Sequence, residues 1–511
     1  MMKKWKLFVL VIWLFFLLFP VIFGYSQSNN GLVFSGLIFN PIDGYSYFAK
    51  MQQGEAGAWT FDLPYSPESN NDVYIFTLYA LFGHISRISG LCIPFIYHFF
   101  RILFSILLFF SLQDLLSIFF KKEDLYYKGA FISLLFGGGL GWIYFLSGEL
   151  PIDFWVAESF VFLSSFSNPH FVLSLLLMSI FLTFIIRNQH GVKFPIIIFF
   201  LSVILASISP FAAIMIGIIF GINIILHREF TKEKIINLVV FGIPTGAIGF
   251  YQYLTIRNDP VLNNWNLQNV TQTPSIINLL FSFSPFIIGI LFLFIKLWKK
   301  KIILEKSTYL LLFWIIFALF MAFIPFNLQR RFLVGIYLPV VIVFWNLLRG
   351  YFSANQKKKL KLTIFVLIGL VIPSNLLLFS GSVNAIKNHD PIFFVNEKVV
   401  EAIEWLESNA EEESVILANE ENGLIIPALA RFKVVYGHPF ESINAEETRI
   451  FVSDFWMNKL SDEQSRNSLE TNNVDFIFCE YANNINNCPA TTQSLEIIYN
   501  AGNIAIFQVE N

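Results

Sequence analysis

The stretch from Asn40 to Glu68, NPIDGYSYFAKMQQGEAGAWTFDLPYSPE, decides how the chain is read. It follows an apolar run from Leu7 to Gly24, yet it carries Asp43, Lys50, Glu55, Asp62 and Glu68 among Tyr45, Tyr47, Trp59, Phe61 and Tyr65. Where an apolar run has taken the chain out of the cytosol, such a stretch lies at the far face of a membrane, with rings at the headgroup level and carboxylates in water. It reads as a site, not a spacer. Asp43 stands close to the helix exit between Pro41 and Gly44, with two tyrosines behind it, and is the leading candidate for a catalytic carboxylate. Ordinary solvation accounts for Glu55, Asp62, Glu68 and Asp72.

Composition supports a membrane setting. Of 511 residues, 56% are hydrophobic and only 14% charged, which takes the chain out of the soluble class. The net charge of -2 hides a division: from Ala385 onward there are 7 Lys+Arg against 21 Asp+Glu, and before it 27 against 15. A basic membrane part, 1–384, with a long first outer loop, 25–92, is thus joined to an acidic tail domain, 385–511. The basic residues fall in short clusters between apolar runs, so no nucleic-acid footprint is present. Three cysteines without a CxxC pair exclude a zinc ribbon or thioredoxin-like site.

Lys3, Lys4 and Lys6 precede the first apolar run, which is too long for a signal-peptide core and is read as a retained helix. The apolar periodicity of 73–89 predicts an amphipathic helix on the membrane surface. Ten further spans are expected at 93–119, 128–146, 169–186, 194–208, 210–226, 235–254, 276–298, 308–325, 332–348 and 362–380, giving eleven in all. Proline at Ser209-Pro210 makes the fifth and sixth a tight hairpin or one broken helix. The hairpin puts Lys121, Lys122, Arg187, Lys193, Arg228, Lys232, Lys234, Lys299–Lys301 and Lys357–Lys361 in cytosolic loops, as the positive-inside rule requires. The amino terminus is then cytosolic and the tail extracytoplasmic, at a cell membrane crossed many times.

The tail reads as a soluble α/β domain. Glu397 to Glu407 is an amphipathic helix; SVILA at Ser414, KVVYG at Lys433, VDFIFCE at Val474, SLEIIY at Ser494 and IAIFQV at Ile504 are strands; NAEETRIFVSDFWMNKL is helical. No glycine-rich phosphate loop follows a strand, which favours a binding or packing module over a second active site. Cys479 and Cys488, outside the cytosol on this topology, are either bonded or two free thiols.

Two more groups of ionisable residues fall on the outer side. The loop ELPIDFWVAESFVFLSSFSNPH supplies Glu149, Asp153, Glu158, Asn168 and His170, and the turn PFNLQRRF supplies Gln329, Arg330 and Arg331. Carboxylates deprotonate an acceptor hydroxyl or hold a divalent metal, whereas the planar guanidinium fork matches phosphate oxygens. Snorkelling from a helix end is the plain alternative for the arginines. His98 and Arg101 fall inside the second span, where pairing with a carboxylate and helix packing both stay open.

An acid in a long first outer loop, a flanking surface helix, a second acidic outer loop, an outer basic pair and a soluble tail together resemble the GT-C superfamily of membrane glycosyltransferases, which take sugar from a polyprenyl-phosphate carrier. The segments DGYSYFAKMQQGEAGAWTFDLPYSPE, AESFVFLSSFSNPHF and QRRFLVGIYLPV are similar to segments of bacterial membrane proteins with this layout. The resemblance implies a polytopic α-helical membrane protein of about eleven transmembrane helices with a C-terminal soluble α/β domain. It implies Asp43, Asp153 and Glu158 as catalytic acids, and Tyr45, Tyr47, Lys50, His170, Gln329, Arg330 and Arg331 as contacts to a polyprenyl-phosphate-linked sugar in the bilayer. The acceptor stays unknown. Many members carry two adjacent acids in the first loop, whereas Ile42 and Gly44 flank Asp43 here, so a divalent metal ion as cofactor stays open. Two functions follow: an inverting transfer of sugar to a lipid, glycan or protein acceptor, or a non-catalytic scaffold that keeps the fold and binds through its acidic tail.

Overall fold

The computed structural model describes residues 3–29, 31–188, 193–352, 354–482 and 484–509. The chain forms two compact units that do not follow chain order: Met1–Pro20, His98–Phe250 and Thr271–Asn384 make one, and Val21–Tyr97, Tyr251–Val270 and Ala385–Asn511 the other.

The first unit is helical, and the protein is a multi-pass membrane protein. Among the described residues seven helices are long and apolar enough to cross a membrane, or up to nine if each of two bent pairs is one span. Phe194–Ile208 and Lys306–Met321 are shorter apolar helices, and with them every expected apolar run falls on helix. Phe194–Ile208 stops at Ser209 and Pro210–His227 packs back on it, which is the hairpin rather than a broken span. Helix Gln329–Tyr351 is almost wholly buried, whereas Lys357–Lys387 shows Leu362, Phe365 and Val366 outward, the apolar exterior a bilayer covers.

Two spans read as single runs are bent. Leu125–Phe136 turns by 43° into Gly141–Ser147 at a glycine triplet, and Ile276–Phe283 turns by 79° into Phe286–Lys299 at Ser284-Pro285. A break away from water must have its backbone groups satisfied within the protein. Here the breaks repair one another: Gly138 N–H donates to the Val371 carbonyl (2.8 Å), Leu140 N–H to Phe281 (2.9 Å), and the Tyr337 hydroxyl to Gly138 (2.9 Å). A Cβ on Gly139 would stand 2.0 Å from the Ser282 carbonyl oxygen, so only glycine allows this approach. Arg101, inside Ile93–Phe119, is fully buried and donates to the carbonyls of Leu17 and Ser165, both at 2.8 Å. These two contacts tie three helical segments of the membrane unit together.

In the second unit, strand β1 (Leu32–Phe34) pairs antiparallel with β2 (Phe394–Asn396). The tail carries β3 (Val415–Ala418), β4 (Lys433–Val434), β5 (Phe476–Glu480), β6 (Glu496–Ala501) and β7 (Ile504–Gln508) in the order β4-β3-β5-β7-β6, with β3 parallel to β4 and β5 and the β7 pairings antiparallel. All five expected tail strands and both helices are present, and helices Glu420–Leu429 and Asp462–Thr471 are added to them. Cys479 and Cys488 are bonded, with their Cα atoms 6.0 Å apart.

The stretch 40–68 departs from its reading as a loop, because Pro41–Ala56 is a helix. Asn40 in a left-handed conformation (φ 44°) turns the chain into it, Pro41 opens it, and Gly57 (φ 112°) closes it. The expected surface helix begins at Thr77, not Val73, and runs to Ser89. The two helices touch through glycine: a Cβ on Gly83 would stand 2.1 Å from the Met51 carbonyl oxygen, and one on Gly54 2.2 Å from that of Ala80. Tail and first loop are stitched together by Val434 N–H to Pro64 (3.0 Å) and the Tyr65 hydroxyl to Leu424 (3.1 Å).

Candidate active site

Asp43 lies in the first turn of Pro41–Ala56, where unpaired N–H groups and the helix dipole favour a carboxylate. The Asn40 amide donates to its Oδ2. Its Oδ1 faces His438 Nε2 at 3.6 Å; the Asp43 side chain is 38% exposed, the His438 side chain 2%. Burial pushes the Asp43 carboxyl up, but His438 and Asn40, with Lys50 further off, outweigh it and leave the group below the ordinary carboxylate value.

The imidazole is fixed from behind. Its Nδ1 accepts the backbone N–H of Phe440 and of Glu441, each at 3.1 Å, and Ser442 Oγ accepts the N–H of Gly437 and His438. The same loop carries Glu441, which accepts from Lys50 Nζ (2.8 and 3.0 Å) and from Ser46 Oγ (2.6 Å). Lys50 is buried and its ammonium lies 4.4 Å from the Phe76 ring centroid. Burial raises the Glu441 carboxyl, yet the charge of the adjacent Lys50, with the hydrogen bonds from Lys50 and Ser46, brings it below its ordinary value. Tyr45 is buried with its hydroxyl pushed up by burial, and Tyr47 stacks on Tyr79 at 4.4 Å.

The membrane unit holds the other expected residues. Asp153 is fully buried in a short turn, Ile152–Phe154, between two spans. Its Oδ2 accepts the Gly139 N–H (2.9 Å), its Oδ1 has no hydrogen-bond partner among the described residues, and a Cβ on Gly141 would collide with it at 1.7 Å. Burial pushes this carboxyl up to about 6 against the pull of Ser374, Gly139 and Ser282. Glu158 is buried and its carbonyl accepts the Gly335 N–H at 2.9 Å. The half-buried Arg330 guanidinium lies 4.3 Å from the Trp155 ring centroid, and its backbone N–H donates to Thr271 (3.2 Å). Arg331 is half-buried in the same turn, Gln329–Leu333, which Gln329 opens. His170 opens helix Pro169–Arg187, its ring against Phe171.

His438 and Glu441 went unnoticed in the sequence. One signal was available: VYGHPFES directly follows β4, a strand of the parallel part of the sheet, and side chains beyond the carboxyl ends of parallel strands often serve ligands.

Among the described residues no group of three or more His, Cys, Asp and Glu could hold a metal ion. Around Asp43 the next carboxylate, Glu441, is committed to Lys50, and both backbone donors occupy His438 Nδ1. This donor set does not fit a divalent metal.

No family model and no curated protein matches the chain. Solved structures do. The oligosaccharyltransferase of Archaeoglobus fulgidus in the apo form superposes with a TM-score of 0.56 at 12% identity, over 94% of this chain and 70% of that one. The archaeal oligosaccharyltransferase AglB from the same organism, in complex with an inhibitory peptide and a dolichol-phosphate, gives 0.55 at 13%, over 93% and 69%. The arabinofuranosyltransferase AftD from Mycobacteria gives 0.55 at 11%, over 100% of this chain and 40% of that one. At such identities the likeness is one of fold: the chain shares the fold of these solved structures.

Proposed function

We propose that the protein is an inverting glycosyltransferase that moves a sugar from a polyprenyl-phosphate carrier to a lipid, glycan or protein acceptor at the outer face of the membrane. Asp43 carries this reading: it is a carboxylate held ionised and 38% exposed, with the ring behind it buried. A general base must be unprotonated and within reach of the proton it takes. The acceptor hydroxyl gives its proton to Asp43 as its oxygen attacks the anomeric carbon. The bond from that carbon to the phosphate oxygen breaks, and its electron pair leaves with the polyprenyl phosphate. One base and no covalent intermediate give inversion.

The dolichol-phosphate of the archaeal complex supports a lipid-phosphate carrier. Within the membrane unit we assign phosphate binding to Arg330 and Arg331, and a positioning role to the buried Asp153 and Glu158. The lysine distribution supports a cytosolic amino terminus and an extracytoplasmic tail. Cysteine labelling from outside is expected at Gln268 and in the tail and not at Lys300 or Lys358; labelling at Lys358 sinks this topology. Asn483, a natural tail position for the label, lies outside the described residues.

The function is tested in membranes supplied with polyprenyl-phosphate sugars. Asp43→Asn keeps the volume and removes the base, so transfer falls by roughly 100-fold or more while the protein still inserts. Unchanged transfer removes the catalytic assignment, and a wild type that binds no such donor favours the scaffold.

A further inference from the structure

We propose that His438 is a positioning residue, fixed as the neutral tautomer with its proton on Nε2, whose N–H dipole keeps the Asp43 carboxylate ionised and aimed outward. The inference deepens the reading of Asp43 as a base and rests on it.

The tautomer follows from hydrogen bonding. Nδ1 accepts two backbone N–H groups, from Phe440 and Glu441 at 3.1 Å each, so it carries no proton, and the ring proton must sit on Nε2. Nε2 is buried, has no hydrogen-bond partner among the described residues, and faces Asp43 Oδ1 at 3.6 Å. That separation is beyond a hydrogen bond, and it leaves the N–H as a dipole directed at the carboxylate. The ring cannot turn away: Tyr65 packs against it at 5.4 Å between centroids, Phe440 at 6.2 Å, and the loop that holds it is closed by Ser442. The charged and polar groups facing the pair are Asn40 and Lys50 from the helix side and Glu441 and Tyr65 from the tail and first loop. Lys50 lies further off and is paired with Glu441, so His438 and Asn40 are the near groups that favour the ionised form of Asp43. A hydrogen-bonding or dipolar partner to the charged form lowers a carboxyl pKa.

Two substitutions separate this role from a purely structural one. His438→Asn puts an amide oxygen where Nδ1 was, preserving the acceptor for the loop N–H groups, but leaves nothing at Nε2. His438→Gln reaches the Nε2 position with an amide N–H and gives up the loop acceptor. The full-length protein in detergent is treated with a hydrophobic carbodiimide, which reacts with the protonated carboxyl, and modification of the Asp43 peptide is followed by mass spectrometry against pH. For His438→Asn the midpoint rises by about one pH unit, while His438→Gln stays near wild type. In the transfer assay the acid limb of the rate moves to higher pH for His438→Asn alone, because a base with a raised pKa is protonated earlier as pH falls. A wild-type midpoint in His438→Asn overturns the proposal, and so does an equal rise in both variants. The carbodiimide titration needs no donor or acceptor, so it stands apart from the Asp43→Asn transfer test: loss of transfer in Asp43→Asn with an unmoved midpoint in His438→Asn refutes the role of His438 and leaves the base.

Discussion

Replacing Asp153 by Asn should make the protein more stable relative to wild type as the pH rises from 4 to 7. Asp153 is fully buried, outside the spans, and its carboxyl is pushed up to about 6 from an ordinary value of 3.8. Well below 3.8 the group is protonated in both folded and unfolded chains and its linkage contribution is fully present. As the pH rises the unfolded chain ionises first while the folded chain holds its proton, so the contribution is lost progressively until the folded group also ionises near 6. A difference of about two pH units corresponds to roughly 3 kcal/mol. The amide keeps the volume and an oxygen for the Gly139 N–H, and its NH2 has the Ser282 and Ser374 hydroxyls beside it. Asn does not titrate, so any fixed offset between the proteins drops out of a comparison across pH. Equilibrium unfolding of both in mixed micelles at several pH values reads the difference directly. A gap that stays constant from pH 4 to 7, or a wild type that gains on the variant with rising pH, refutes the buried-carboxyl argument.

Other outcomes follow from contacts already described. Glu441→Gln leaves Lys50 buried without its counter-charge and should cost about 3 to 5 kcal/mol, whereas Lys50→Met with Glu441→Gln should recover most of it; equal losses in the single and double variants refute this. Gly83→Ala puts a methyl 2.1 Å from a backbone oxygen and should cost about 1 to 3 kcal/mol by denaturant unfolding, with no effect if the two helices part freely. Thiol titration of the denatured, unreduced chain should find Cys92 alone, and Cys488→Ser should lower stability by about 2 to 3 kcal/mol for the short loop released. Arg330→Ala and Arg331→Ala should weaken binding of a polyprenyl-phosphate donor by about 2 to 5 kcal/mol, and unchanged donor binding in both removes their assignment.

Hydropathy made the spans legible because a bilayer demands length and apolarity, both written in consecutive residues. It did not reveal the bends at Gly137–Gly139 and Ser284-Pro285, because an apolar average is blind to direction. The strands of the tail were legible for a similar local reason: VILA, FIFCE and IAIFQ are β-rich runs between polar turns. Helix Pro41–Ala56 was not. Gly44 and Gly54 weaken its intrinsic preference, and its polar Lys50 faces inward, so the apolar stripe is interrupted. Its packing is supplied instead by Gly83, far outside any local window.

The same limit explains the site. In sequence, Asp43 is the leading candidate for a catalytic carboxylate and Lys50, seven residues on, a candidate contact to substrate. Which is available for chemistry depends on partners nearly 400 residues away, since Glu441 is 391 positions from Lys50. Glu441 accepts the Lys50 ammonium at 2.8 Å and the pair is buried, so that charge is spent inside the protein. His438, three residues earlier on the same loop, brings Asp43 no net charge in the neutral form its two backbone donors impose, so the carboxylate is held without being neutralised. One tail loop thus sorts Asp43 and Lys50 of helix Pro41–Ala56, withdrawing the cation and leaving the anion at the surface. A sequence supplies both residue types at their spacing, but only the pairing decides that the anion is the one left able to take a proton.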